Sequence, residues 1–176
     1  MIRRTGPKAG LDPPAVVTAG AGLADEVGFT NLTMGMLAER VGVRTPSLYK
    51  HVGGQEDLNR RIADRALGEA ADAVGAAFQG HAGRDALAAA ARAFVLAHPG
   101  RYAATIGTEP SGPGDPLAVA GQRLLDAFTA VLRGYRIPEP DVGHALRTLR
   151  SLCHGFATLQ ADNGFQWSSG IDESFE

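Results

Sequence analysis

A single cysteine, Cys153, stands in this chain, so no intrachain disulfide can staple it. No uncharged run reaches the roughly 18 residues that a bilayer-spanning helix needs. The opening stretch MIRRTGPKAGLDPP lacks the apolar segment of a secretory signal. Enzyme signatures are missing as well. There is no His-Glu-x-x-His, no Gly-x-Ser-x-Gly and no glycine loop of the phosphate-cradling kind, and the five histidines fall at no metal-ligand spacing. Strand-type alternation is absent throughout. These absences lead to the expectation of a cytoplasmic all-α protein that is not an enzyme, carries no metal or cofactor and has no membrane partner.

What remains is ordinary in composition and unusual in arrangement. Hydrophobic residues make up 44% and charged residues 20%, enough for a substantial core, and the formal net charge is only −2. The charge is nevertheless segregated. Residues 1–61 hold eight Lys/Arg against six Asp/Glu, whereas the remainder holds nine against thirteen. Arg3, Arg4 and Lys8 precede any acid, and Arg44 and Lys50 occupy an interval, Glu39 to Glu56, with no acid inside it. Such a distribution places a nucleic-acid face at one end of the molecule.

Start and stop signals divide the chain into helices. Asp12-Pro13 reads as a cap followed by proline at the first helical position, opening a helix to about Val27 that Gly28 ends. Thr33 caps a second helix with Met34, Leu37, Ala38 and Val41 inward, ended by Gly42. Thr45-Pro46 starts a third, to about Val52, broken by Gly53-Gly54. A long helix follows, begun by Glu56 and Asp57, with Leu58, Ile62, Ala66, Ala70, Ala73 and Ala77 as its apolar line. Further helices are expected at about 84–98, at 117–135 and at 139–162. The last carries a core stripe of Val142, Ala145, Leu146, Leu149, Leu152, Cys153, Phe156 and Leu159, which makes Cys153 a buried, inert thiol. Pro99-Gly100 is expected to stop the 84–98 helix, RYAATIG to add a turn or two, 108–116 to be plain loop, and the tail to begin another helix.

Two short helices, 33–41 and 45–52, joined by a turn at Gly42-Val43-Arg44, make a helix-turn-helix arrangement. Leu37, Val41, Val43, Leu48 and Val52 hold the pair together. The second helix then presents Arg44, Thr45, Ser47, Tyr49, Lys50 and His51, donors and cations suited to phosphate oxygens and base edges. A carboxylate there would repel phosphate, which accounts for the acid-free interval.

The stretch GFTNLTMGMLAERVGVRTPSLYKHVGGQEDL, residues 28–58, resembles the TetR/AcrR family of bacterial transcriptional regulators, with Tyr49, His51, Glu56, Asp57 and Leu58 in the family's register. SLCHGF, 151–156, looks like the signature of the family's Trp-His-Gly type of C-terminal domain, with Cys153 at the tryptophan position. The resemblance implies an N-terminal three-helix DNA-binding bundle over 1–54. Joined to it, over 55–176, is a helical bundle for ligand binding and dimerisation. It implies a regulator, of the repressor kind, released from double-stranded operator DNA by an unidentified small molecule, and a homodimer. By position, Thr33 and the amides behind it would bind a phosphate, and Thr45, Pro46, Ser47 and Lys50 would approach base edges. Tyr49 and His51 would touch the backbone, with Arg3, Arg4 and Lys8 adding attraction. The family often has lysine where Gln55 stands here, which removes one phosphate contact. The implied effector cavity would draw on Phe94, His98, Tyr102, Ile106, Phe128 and Phe165, with Trp167 as a lid or a surface residue. The line His144, Arg147, Ser151, His154, Gly155 and Thr158 on the 139–162 helix suits close approach of a second copy. The competing reading is a helical small-molecule-binding or interaction module without DNA binding.

Overall fold

Asp12 opens the first helix through its side chain. Its Oδ1 accepts the Ala15 N–H at 2.8 Å and Pro13 fills the first helical position, so α1 runs Pro13–Val27. This computed structural model describes residues 11–79, 83–166 and 170–175. Arg3, Arg4, Lys8 and Trp167 lie outside the described residues. Thr33 Oγ1 accepts the Met36 N–H at 3.2 Å to cap α2, Met34–Val41. Gly42 closes that helix at φ 72°, a left-handed conformation that a Cβ would penalise. The third helix, α3, is Thr45–Leu48, shorter than the expected reach to Val52. Past Leu48 the chain tightens into turns, the His51 N–H bonding back three residues to the Leu48 carbonyl at 2.8 Å.

The remaining helices are α4 Gln55–Gln79, α5 Gly83–Ala97, α6 Pro99–Thr105, α7 Pro116–Leu132, α8 Val142–Ala161 and α9 Ile171–Phe175. No strand occurs among the described residues, and no helix is long and apolar enough to cross a membrane. Pro99, expected to stop a helix, instead starts α6 at its first position, where the missing N–H costs nothing. The 108–116 loop is also more than plain loop. Asp115 caps α7 by accepting the Leu117 N–H at 3.0 Å, and it accepts the Ser111 N–H at 2.6 Å and hydroxyl at 2.7 Å. Arg60 of α4 reaches the same carboxylate and the Glu109 carbonyl, at 3.1 Å to the latter, so the loop is pinned to α4.

Two apolar clusters organise the bundle. The first gathers Val16, Ala21, Leu37, Ala38, Leu48 and Val52 around Leu58 and Ile62, so the first turns of α4 complete the core of the N-terminal helices. Ala104 of α6 and Leu117 of α7 join that cluster. The second holds Val74, Leu87, Phe128 and Val131, with Leu124, Leu146, Leu149 and Cys153 against it. On α4 the inward line shifts to Ala71 and Val74, leaving Ala73, expected inside, exposed. On α8 the stripe is narrower than expected. Leu146, Leu149 and Cys153 pack in the second cluster and Ala157 is fully buried, while Leu152 and Leu159 are 66% and 51% exposed. The physical reason is geometric: two neighbours cover about a third of a helix surface, and the expected stripe spanned more than that.

The short α9 folds back over α5 and α8. Its Asp172 takes the Arg92 guanidinium at 2.6 Å, and that guanidinium lies over the rings of Phe175 and Phe156, 4.8 and 5.5 Å from their centroids.

Candidate nucleic-acid interface and effector cavity

The helix-turn-helix is built by burying one side of each short helix. Leu37 and Leu48 are fully buried and Val52 nearly so, which fixes α3 against α2 and α4 and turns the other side of α3 outward. On that outer side Arg44, Pro46, Lys50 and Tyr49 are exposed, Tyr49 at 57%, while Thr45, Ser47 and His51 are half-buried. Thr33 is exposed at the start of α2, its hydroxyl engaged as the cap. Arg44 and Lys50 have no carboxylate partner among the described residues. The acids that flank the interval are partly occupied elsewhere. Asp57 accepts the Gly53 N–H at 2.7 Å and the Arg61 Nε–H at 3.0 Å; the Gly53 amide chiefly, with Arg61, holds its pKa below the usual value against the opposing effect of burial. Gln55 is bonded to Asn59 at 2.8 Å. Glu26 and Arg40 pair across α1 and α2 at the surface.

Behind this face lies a junction of α1, α4 and α6. A Cβ placed on Gly100 would stand 1.9 Å from the Ala24 carbonyl oxygen, so the start of α6 rests directly on the backbone of α1. Charged groups frame that seat. The Arg101 N–H donates to Asp25 at 2.8 Å, the Arg101 guanidinium lies 2.9 Å from the same carboxylate and donates to Glu69 at 3.1 Å, and Arg65 links Glu69 to Thr18 at 2.7 and 2.6 Å. His98 turns to Asp25, 3.4 Å away, and packs its ring edge-on to Phe94, so it belongs to the junction.

Three adjoining cavities open around α6 and α8. The inner one, about 50 Å³, is walled by Phe94, Val95, Leu124 and Phe128 with Tyr102, Arg150, Cys153 and His154. A larger one of about 330 Å³ lies between α4, α6 and α7, sharing Leu124, Phe128 and Arg150 with it. A third, about 310 Å³, shares Val95, Tyr102 and His154 and includes Ile106 and Thr158. Together they have the size and the apolar lining of a small-molecule site. Tyr102 Oη and His154 Nδ1 are hydrogen-bonded at 2.7 Å across the middle. Burial pushes the Tyr102 phenol and the Cys153 thiol above their usual pKa, so both stay protonated and Cys153 is a poor nucleophile.

Of the residues expected around an effector, Phe94, Tyr102, Phe128 and Ile106 meet at these cavities. His98 does not, and Phe165 packs on Phe156, 4.8 Å between centroids. Sequence reasoning overlooked Arg150, Leu124 and His154 as cavity residues. The α8 line expected to face a second copy divides: His144, Arg147 and Ser151 are exposed, Gly155 is half-buried, and His154 and Thr158 turn toward α6. Exposed Leu152 and Leu159 flank the outward part, and the 3.6-residue period that brought the line together could have found them had the inward stripe been drawn narrower.

Residues 16–62 match the family described as bacterial regulatory proteins, tetR family, and residues 84–176 match a tetracyclin repressor-like C-terminal domain, a description that leaves the Trp-His-Gly subtype undecided. The chain is 30% identical over 173 residues to YobS, a helix-turn-helix transcriptional regulator of Bacillus subtilis (strain 168), covering 96% of this chain and 88% of that protein. It is 33% identical over 156 residues to a helix-turn-helix regulator of Mycobacterium tuberculosis, covering 86% and 71%. Among solved structures, a possible TetR family regulator from Streptomyces coelicolor A3(2) is similar at 27% identity and TM-score 0.64, over 90% of this chain and 76% of the other. A TetR variant from Acinetobacter baumannii AYE in complex with minocycline (23%, TM-score 0.65, covering 94% and 90%) has the same fold. So does BioQ with its double-stranded DNA operator (24%, TM-score 0.63, covering 87% and 89%).

Proposed function

Because the chain belongs to the TetR family of bacterial transcriptional regulators, we propose that Arg44, Thr45, Pro46, Ser47, Tyr49, Lys50 and His51 form its operator-reading surface. The protein is a ligand-responsive DNA-binding regulator and not an enzyme. The observation that carries the surface assignment is the exposure of Arg44 and Lys50, without carboxylate partners among the described residues, on a helix whose opposite side is fully buried. Cations left unpaired on a rigid frame are available to phosphates at no cost of breaking an ion pair. Thr33 at the start of α2 offers amides to a further phosphate, and Arg3, Arg4 and Lys8 add attraction from the N-terminal segment. The functional division falls between 1–54 and 55–176, with α4 packed in both cores.

The working protein is a cytoplasmic homodimer, and in it the outward face of α8 meets its copy. His144, Ser151 and Gly155 lie there with exposed Leu152 and Leu159, an apolar pair two turns apart on one side. The two reading helices then sit about one DNA turn, roughly 34–36 Å, apart. A small effector fills the cavities around Tyr102 and Phe128 and displaces α6. Since α6 rests on α1 at Gly100, α1 and its reading head shift with it, and the repressor leaves its operator.

Lys50→Ala tests the reading surface. In a salt series of gel shifts on the promoter fragment, affinity falls by a similar factor for different operator variants and the salt slope drops by about one per protomer. A changed base preference at unchanged salt slope would reassign Lys50 to base reading. An unchanged affinity would remove α3 from the interface.

A further inference from the structure

Most described arginines of the bundle have a carboxylate. Arg60 has Asp115, Arg65 has Glu69, Arg92 has Asp172, Arg101 has Asp25 and Glu69, and Arg123 has Asp72. Arg133, Arg136, Arg147 and Arg150 have none among the described residues, and Arg150, exposed on α8, lines both the inner cavity and the larger one between α4, α6 and α7. Neither wall contains an aspartate or glutamate; the rest is apolar apart from hydroxyl, thiol, imidazole and amide groups. Arg150 is also near enough to Tyr102 to work against the effect of burial on that phenol.

We infer that the effector is an apolar monocarboxylate, its anionic head paired with Arg150 and its tail in the larger cavity among Leu124, Leu125 and Phe128. This rests on the effector reading above and gives that ligand a chemical class. An anion enters an apolar cleft only when a countercharge meets it there, and the planar guanidinium matches a carboxylate through two parallel hydrogen bonds. A cationic ligand meets Arg150 with no carboxylate to offset it, and a neutral one gains burial alone. A chain of moderate length suits the space, since the cavities Arg150 lines hold about 330 and 50 Å³.

The experiment is isothermal titration of the full-length protein with octanoate, 1-octanol and octylamine, three ligands alike in length and differing in charge. Octanoate binds once per protomer, at least about 10-fold tighter than 1-octanol, and octylamine binds weakest. Arg150→Gln weakens octanoate by about 10-fold and leaves 1-octanol within about two-fold, while Arg150→Lys restores part of the difference. Because Arg150 makes no ion pair with a described residue, Arg150→Gln keeps the melting temperature, which circular dichroism verifies. Equal binding of octanoate and 1-octanol, with both abolished by Gly121→Leu filling the larger cavity, overturns the inference and leaves the effector cavity standing. Octanoate binding that neither Arg150→Gln nor Gly121→Leu alters overturns both.

Discussion

Asp115 shows how much one side chain settles. Its carboxyl is held down to about 2, first by the Ser111 backbone amide, then by the Ser111 hydroxyl, with the Leu117 amide and Arg60 adding to the same effect and burial opposing it. The folded state therefore favours the charged form. That contribution is complete above the ordinary carboxyl value of 3.8 and disappears as the pH falls toward about 2. The thermal midpoint followed by circular dichroism declines across that window in the wild type. Asp115→Asn removes part of the decline and lowers the midpoint at neutral pH. The expectation of plain loop at 108–116 passed over this cap, although Asp115-Pro116 repeats the cap-then-proline signal of Asp12-Pro13. The ties to Arg60 and Ser111 were not legible, because nothing local says which helix a loop lies against.

Among the elements, α6 is the one that touches both the cavities and α1. It is seven residues long, its Tyr102 faces the cavities and its Gly100 lies on α1. Gly100→Ala forces the two backbones apart, since no flexible side chain can yield there. The expected loss is about 1–3 kcal/mol in urea unfolding, the range for overpacked interiors. Unchanged stability would mean that α6 does not sit on Ala24. The sequence marked this region only as a break with a turn or two after it. Proline's double meaning, stop or start, is decided by whether a partner surface rewards the helix that follows.

For the whole molecule the question is assembly. Leu152 and Leu159 are exposed in a single copy, and their side chains contribute little to its interior. Leu152→Glu therefore leaves helicity and monomer folding intact while shifting sedimentation velocity at micromolar concentration from dimer to monomer. Operator affinity falls with it, because a monomer engages one half-site. A dimer that survives Leu152→Glu with Leu159→Glu places the interface elsewhere.

Caps, breakers and periodicity in the sequence were enough to determine where most helices begin and end, the helix-turn-helix and the acid-free outer side of α3. Each depends on hydrogen bonds and spacing within a few residues. Tertiary structure alone decided which side of α8 turns inward, that Pro99 opens a helix, and that His98 serves the junction while Arg150 is left facing the cavities. Those outcomes depend on contacts between residues tens of positions apart, such as Arg60 with Asp115 or Arg92 with Asp172, which form only once helices have chosen their neighbours.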